Sequence, residues 1–130
     1  MATWDDVRRI VASLPETSER GTGEWRVRDK ALAWERPLRP KDLEELGKDA
    51  PTGPILGARV PDLGAKEALL AESPEIYFTT SHFNGYPAIL VRLEEIDTEE
   101  LRELLTEAWL DRVPKRMARE FLAAREAEQR

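Results

Sequence analysis

A chain of 130 residues, 41% hydrophobic and 35% charged with four tryptophans, describes one soluble domain, because folding at this size removes roughly two thirds of the extended chain's surface from water. A net charge of −6 is the wrong sign for a protein that embraces nucleic acid over much of its surface. The absence of cysteine excludes disulfides, thiolate catalysis and thiolate metal sites, and one histidine excludes a His-rich zinc site. No apolar run approaches the roughly 20 residues of a membrane-spanning helix, and MATWDDVRRI lacks the sectors of a signal peptide. A cytoplasmic protein without membrane contact is therefore expected.

Thr3 can cap a first helix with Asp6 in the capping-box position, and Trp4, Val7, Ile10, Val11 and Leu14 recur at helical spacing until Pro15. Residues 24–30 and 31–36 alternate around Trp25, Val27, Leu32 and Trp34, which predicts a hairpin turning at Asp29-Lys30. That register sets all four on the core face, with Arg26 and Arg28 on the other. Residues 37–54 hold proline, glycine and charge and read as a long, partly ordered loop with a short helical run around Asp42 to Leu46. A third strand over 55–60 and a short helix over 63–71 follow, the latter stopped by Pro74.

The stretch PEIYFTTSHFNGYPAILVRL, residues 74–93, joins two β-rich runs through Asn84-Gly85, a dipeptide suited to a two-residue hairpin turn. With Phe83 opposite Tyr86, Ile76, Phe78, Thr80 and His82 share the core face with Ile89, Val91 and Leu93. Tyr77, Phe83, Tyr86 and Arg92 then share the opposite face. From Thr98 the chain reads as helical, with Leu101, Leu104, Leu105, Ala108 and Trp109 on one side. A break near 110–113 is expected ahead of Pro114, and residues 122–130 read as a polar helical tail. The order is α-β(3)-α-β(2)-α. It predicts a single α+β domain, a two-layer sandwich with an antiparallel sheet of about five strands covered by helices on one face.

That order, with Ser13-Leu14-Pro15-Glu16, the 25–30 hairpin, the segment 77–93, Ala108-Trp109 and Val113-Pro114-Lys115-Arg116, resembles the MmcQ/YjbR family of small bacterial proteins. The resemblance runs from about Trp4 to Phe121 and rests on the order and spacing of these segments. It implies the same two-layer fold, similar to secretion-chaperone and frataxin-like architectures and called double-wing for its two hairpins. It also implies a DNA-binding label, and it brings no catalytic residues.

Among candidate sites, Ser81 and His82 cannot act as a dyad on one strand, because neighbours point to opposite faces. Glu94, Glu95, Asp97, Glu99 and Glu100 cluster where acid favours a helix start, and Gly21-Thr22-Gly23 lacks the strand and helix of a phosphate loop. No catalytic residue, metal site or cofactor is expected. The first binding candidate is the open sheet face, where Arg26, Arg28 and Arg92 would contact phosphates and Tyr77, Phe83 and Tyr86 would stack. The second is a basic stripe of Arg112, Lys115, Arg116 and Arg119 on one helix face. The same open face equally suits a protein partner, a second copy in a weak homodimer, or cover by residues 37–54 of a monomer.

Overall fold

The computed structural model describes residues 1–129. Its helices are α1 (Trp4–Ala12), α2 (Pro40–Leu46), α3 (Leu63–Glu72), α4 (Thr98–Arg112) and α5 (Lys115–Glu128). Its strands are β1 (Thr17–Arg20), β2 (Glu24–Val27), β3 (Lys30–Glu35), β4 (Ile55–Arg59), β5 (Tyr77–Phe78) and β6 (Ala88–Arg92). They form one antiparallel sheet in the order β1-β2-β3-β4-β6-β5. The fold class is α+β, as expected, with six strands in place of about five. The extra strand, β1, has the sequence TSER, which shows no apolar alternation; its place comes from backbone pairing with β2 at the sheet edge.

Helices α1 and α4 pack together and cover one sheet face. Thr3 and Asp6 close the capping box of α1, the Asp6 carboxylate accepting the Thr3 N–H at 2.9 Å. The helix then buries Val7, Ile10 and Val11. They meet Leu101, Leu105 and Trp109 of α4 and Trp25, Leu32, Leu56, Ile89 and Val91 of the sheet in one apolar cluster. Trp109 keeps its indole N–H satisfied by donating to the Pro15 carbonyl at 2.9 Å. Pro114 separates α4 from α5, as its missing N–H requires.

Two register details overturn the expected assignment of faces. The first hairpin turns at Arg28-Asp29, with Val27 opposite Lys30 and Arg28 at a φ of 55°. Trp25 then faces Ala33 while Arg26 faces Ala31, so Leu32 is an extra residue in a β-bulge. Leu32 and Ala33 both enter the core, and Trp34 emerges on the opposite face, not beside Trp25.

The second correction concerns Asn84-Gly85. Phe83 and Tyr86 do close a turn, the Tyr86 N–H donating to the Phe83 carbonyl at 3.1 Å. Asn84 at φ −59° and ψ 129° with Gly85 at φ 73° makes it type II. That twist splays flanking strands instead of continuing them. The ladder is consequently confined to Tyr77 opposite Val91 and Phe78 opposite Leu90, one residue out of the register a two-residue turn would set. Every side chain of β5 changes face: Tyr77 joins the helix-covered core and Phe78 the opposite side.

Candidate functional site

The face away from α1 and α4 carries its own smaller apolar cluster of Ile55, Phe78, Phe83, Ala88 and Leu90. Leu38 and Leu46, flanking and ending α2, cover part of it. What they leave open is a cleft of about 920 Å³ walled by Trp34, Phe83 and Tyr86, with Ala31, Glu35 and Arg39 around it. This falls in the size range of small-ligand sites.

Trp34 is its central surface. The indole lies across Gly57 of the neighbouring strand so closely that a Cβ there would sit 2.4 Å from Trp34 Nε1. The glycine thus lets the ring lie against the strand, and the half-buried indole lines the cleft. Phe83 stands 6.4 Å from Trp34 between ring centroids, and Tyr86 stands 6.5 Å from Phe83. The three rings thus form a continuous aromatic wall.

Two buried polar contacts hold the walls in place. Arg36 Nη2 donates to Asp42 at 3.0 Å, both side chains being only 6% exposed, and the Arg39 N–H donates to the same carboxylate at 2.9 Å. Burial pushes the Asp42 carboxyl up, but the Arg39 N–H and the Arg36 guanidinium outweigh it and hold the group below the ordinary aspartate value. This fixes α2 against the sheet. On the far side, Lys66 of α3 donates from Nζ to the Phe83 carbonyl at 2.7 Å and the Tyr86 carbonyl at 3.0 Å. Burial pulls its pKa down. Those bonds fasten the turn that carries two of the three rings.

Of the first set of candidates, Phe83 and Tyr86 line the cleft. Tyr77 does not: it is 2% exposed on the helix-covered side, and its hydroxyl donates to Glu100 at 2.5 Å. Arg26 is on the open face but is bonded to Glu24 and to the Asp29 carbonyl. Arg28 leaves that face at the hairpin turn, pairing with Glu16 at 3.0 Å beside Met117 of α5. Arg92 donates to the Pro74 carbonyl at 3.0 Å and lies 4.6 Å over the Phe78 ring, outside the cleft. The basic stripe is divided as well, since Arg112 ends α4 while Lys115, Arg116 and Arg119 belong to α5, where Arg116 faces Glu120 at 3.8 Å.

His82 is exposed at the cleft rim, its ring edge-on to Phe83 at 4.9 Å, and not on the core face. Ser81 Oγ donates to Glu45 at 2.6 Å. Sequence reasoning missed Trp34 and Arg39; a glycine inside the apolar strand 55–60 was the signal that a ring lies against it. Among the described residues there is no group of three or more His, Asp or Glu placed to hold a metal ion, and no helix is long and apolar enough to cross a membrane.

The YjbR family model matches residues 12–111. The chain belongs to the YjbR family. It is 57% identical over 126 residues to an uncharacterized protein of Mycobacterium bovis and equally to one of Mycobacterium tuberculosis, covering 95% of this chain and 98% of each relative. The crystal structure of Deinococcus radiodurans protein DR2400, a DUF419 domain, superposes with a TM-score of 0.60 at 22% identity, over 85% of this chain and 78% of that one. At that identity the likeness concerns the fold alone: a YjbR-family chain and a DUF419 domain share the helix-covered antiparallel sheet.

Proposed function

We propose that this YjbR-family protein is a non-catalytic binding module whose open sheet face takes a short single-stranded nucleic acid, with one base stacked on Trp34. The half-buried Trp34 indole that lines the cleft carries this reading. Every nucleobase offers a π-face, and stacking on an exposed aromatic contributes about 1–3 kcal/mol per base. Phe83 and Tyr86 extend the surface beyond one ring, and the exposed Arg39 stands at its margin. The net charge of −6 confines phosphate contact to this local patch and opposes broad wrapping of a duplex. The non-catalytic part is supported by Ser81, whose hydroxyl is engaged with Glu45 and not with an imidazole.

A protein partner is the second reading. It is favoured by the pairing of Arg26 with Glu24 and by the departure of Arg28 from this face, which leave the face more apolar than cationic. Amide and indole NMR of labelled protein, titrated with a single-stranded oligonucleotide of about ten nucleotides and with the matching duplex, separates the two. Single-strand shifts centred on the Trp34 indole, weakened by salt and abolished by Trp34→Ala, are the expected result. Silence of Trp34 towards both nucleic acids removes the nucleic-acid reading and leaves the protein partner.

A further inference from the structure

On the helix-covered side of the sheet, α3 and α4 enclose a groove of about 460 Å³. Its floor is apolar, made by Ala65 and Leu69 of α3, Leu104 of α4 and the Tyr77 ring of β5. Its rim is acidic, with Glu72 on one helix and Glu100, Glu103 and Glu107 on the other. The last three recur at i, i+3 and i+7 along one face of α4, a spacing at which like charges repel. No lysine or arginine stands among the described residues that line the groove. The Tyr77 hydroxyl gives Glu100 a hydrogen bond, but it brings no positive charge.

The complementary surface is in the same chain. Lys115, Arg119 and Leu122 of α5 recur at i, i+4 and i+7 as one stripe, and all three are exposed, Leu122 at 47%. Met117 and Phe121, by which α5 rests on the core cluster, lie on the other side of the helix at about 100° per residue, so the stripe faces outward. Glu126, one turn past Leu122, ends it. None of the described residues of α5 is buried, although a helix of 14 residues normally draws its stability from a covered face. Its first turn also has the wrong sign: Lys115 and Arg116 sit where the helix dipole favours acid, and Pro114 gives no side-chain cap. The carboxylates of its own groove are out of reach. α5 meets the β2–β3 hairpin where Arg28 donates to Met117, whereas the groove borders β5. Strands β3, β4 and β6 lie between β2 and β5, a separation of about 19 Å.

We propose that the groove between α3 and α4 takes the first two turns of α5 from a second copy of this chain, and that a two-fold axis makes the exchange reciprocal. Leu122 enters the apolar floor while Lys115 and Arg119 meet the carboxylates of the rim, a helix-in-groove contact whose direction is fixed by charge. Reciprocity closes the assembly as a dimer with two identical contacts. Each copy carries a net charge of −6, so long-range repulsion keeps the pair weak. The groove lies on the opposite side of the sheet from Trp34, and the contact does not require base stacking there.

Sedimentation equilibrium of the full chain, from micromolar to millimolar concentration at constant ionic strength, tests this. The mass should rise from 14.9 kDa towards twice that value and stop there. In NMR the signals of Leu69, Leu104 and Leu122 should shift with concentration while the Trp34 indole stays still. Glu103→Lys with Glu107→Lys should weaken the dimer about tenfold or more, although it lowers the net negative charge and general repulsion alone would then tighten the pair. Lys115→Glu with Arg119→Glu should weaken it likewise, and the four substitutions together, which leave the net charge unchanged, should restore it. Acid in the first turn suits the α5 dipole, so the second variant should melt no earlier than wild type in dilute solution, which separates lost docking from lost fold. A monomer at every concentration overturns the proposal and leaves the groove to a basic segment of another protein. A mass that grows past the dimer overturns the two-fold arrangement. Failure of the fourfold reversal to restore association, or association that moves the Trp34 indole instead, overturns the contact itself. The Trp34 indole reports separately on base stacking, so either idea can fail without the other.

Discussion

Trp34 lies against Gly57 with no room for a methyl group between them, since a Cβ at position 57 would come within 2.4 Å of the indole nitrogen. Gly57 has ordinary strand geometry, which alanine adopts at no backbone cost, so Gly57→Ala isolates the contact itself. The methyl group would lift the indole out of its seat and disturb the aromatic wall. We expect a loss of about 1–3 kcal/mol, as for other overpacked sites, and a displaced Trp34 indole resonance. Urea unfolding with the two-dimensional NMR spectrum checks both; unchanged stability and an unmoved indole signal would mean that the ring is seated elsewhere.

Arg36 and Asp42 tie α2 to the sheet from within. Removing one partner strands the other, so Arg36→Met should cost about 3–5 kcal/mol, and the double replacement Arg36→Met with Asp42→Leu should recover much of it. The pair also has a pH signature. Because the folded-state pKa of Asp42 is lowered, the unfolded chain binds the proton first as pH falls. The stabilisation is complete above the unfolded value of about 4 and is lost as pH drops through the folded value. Unfolding free energies measured from neutrality down to strong acid should show that component in the wild type and not in Asp42→Asn.

The helices and the central strands were legible because their burial repeats at regular spacing. Val7, Ile10 and Val11, or Leu101, Leu105 and Trp109, mark one face of a helix regardless of context, and the cap at Thr3 is local chemistry. The assignment of faces was not legible, because one residue decides it. The bulge at Leu32 sends Trp34 through the sheet, and the type II geometry at Asn84-Gly85 sends Tyr77 the other way. Both lie within sequence-local hairpins, β2 with β3 and β5 with β6, and each moves the pairing by one residue without leaving a mark on the alternation of either segment.

Tyr77 offers a test of that corrected register. Burial, and then the Glu100 carboxylate that its hydroxyl serves, push its pKa well above the ordinary tyrosine value. Its folded-state proton is held more tightly than in the unfolded chain, so this stabilisation is present below about pH 10 and is lost as pH rises from there through the folded value. Tyr77→Phe should cost about 2 kcal/mol at neutrality, the scale of a hydrogen bond to a charged group, and should abolish this alkaline loss. A tyrosine titrating normally at position 77, followed by tyrosinate absorbance, would place it on the open face after all.

Lys66 acts on the cleft without lining it. Its ammonium group is buried against the carbonyls of Phe83 and Tyr86, and its lowered pKa records the cost of keeping a charge there. Lys66→Met preserves the length and apolar stem of the side chain, removes both bonds and relieves that desolvation. The net loss of stability should therefore be modest, about 1–3 kcal/mol for the carbonyls left without donors. The local effect should be larger than the global one: amide exchange across residues 83–86 should accelerate more than exchange in β6 or α4, because only the turn has lost its anchor. Ligands that stack on Phe83 and Tyr86 should bind more weakly to this variant even though Lys66 touches none of them. Uniform acceleration throughout the chain would instead show that Lys66 supports the fold as a whole, and equal affinity would show that the position of the turn does not govern binding.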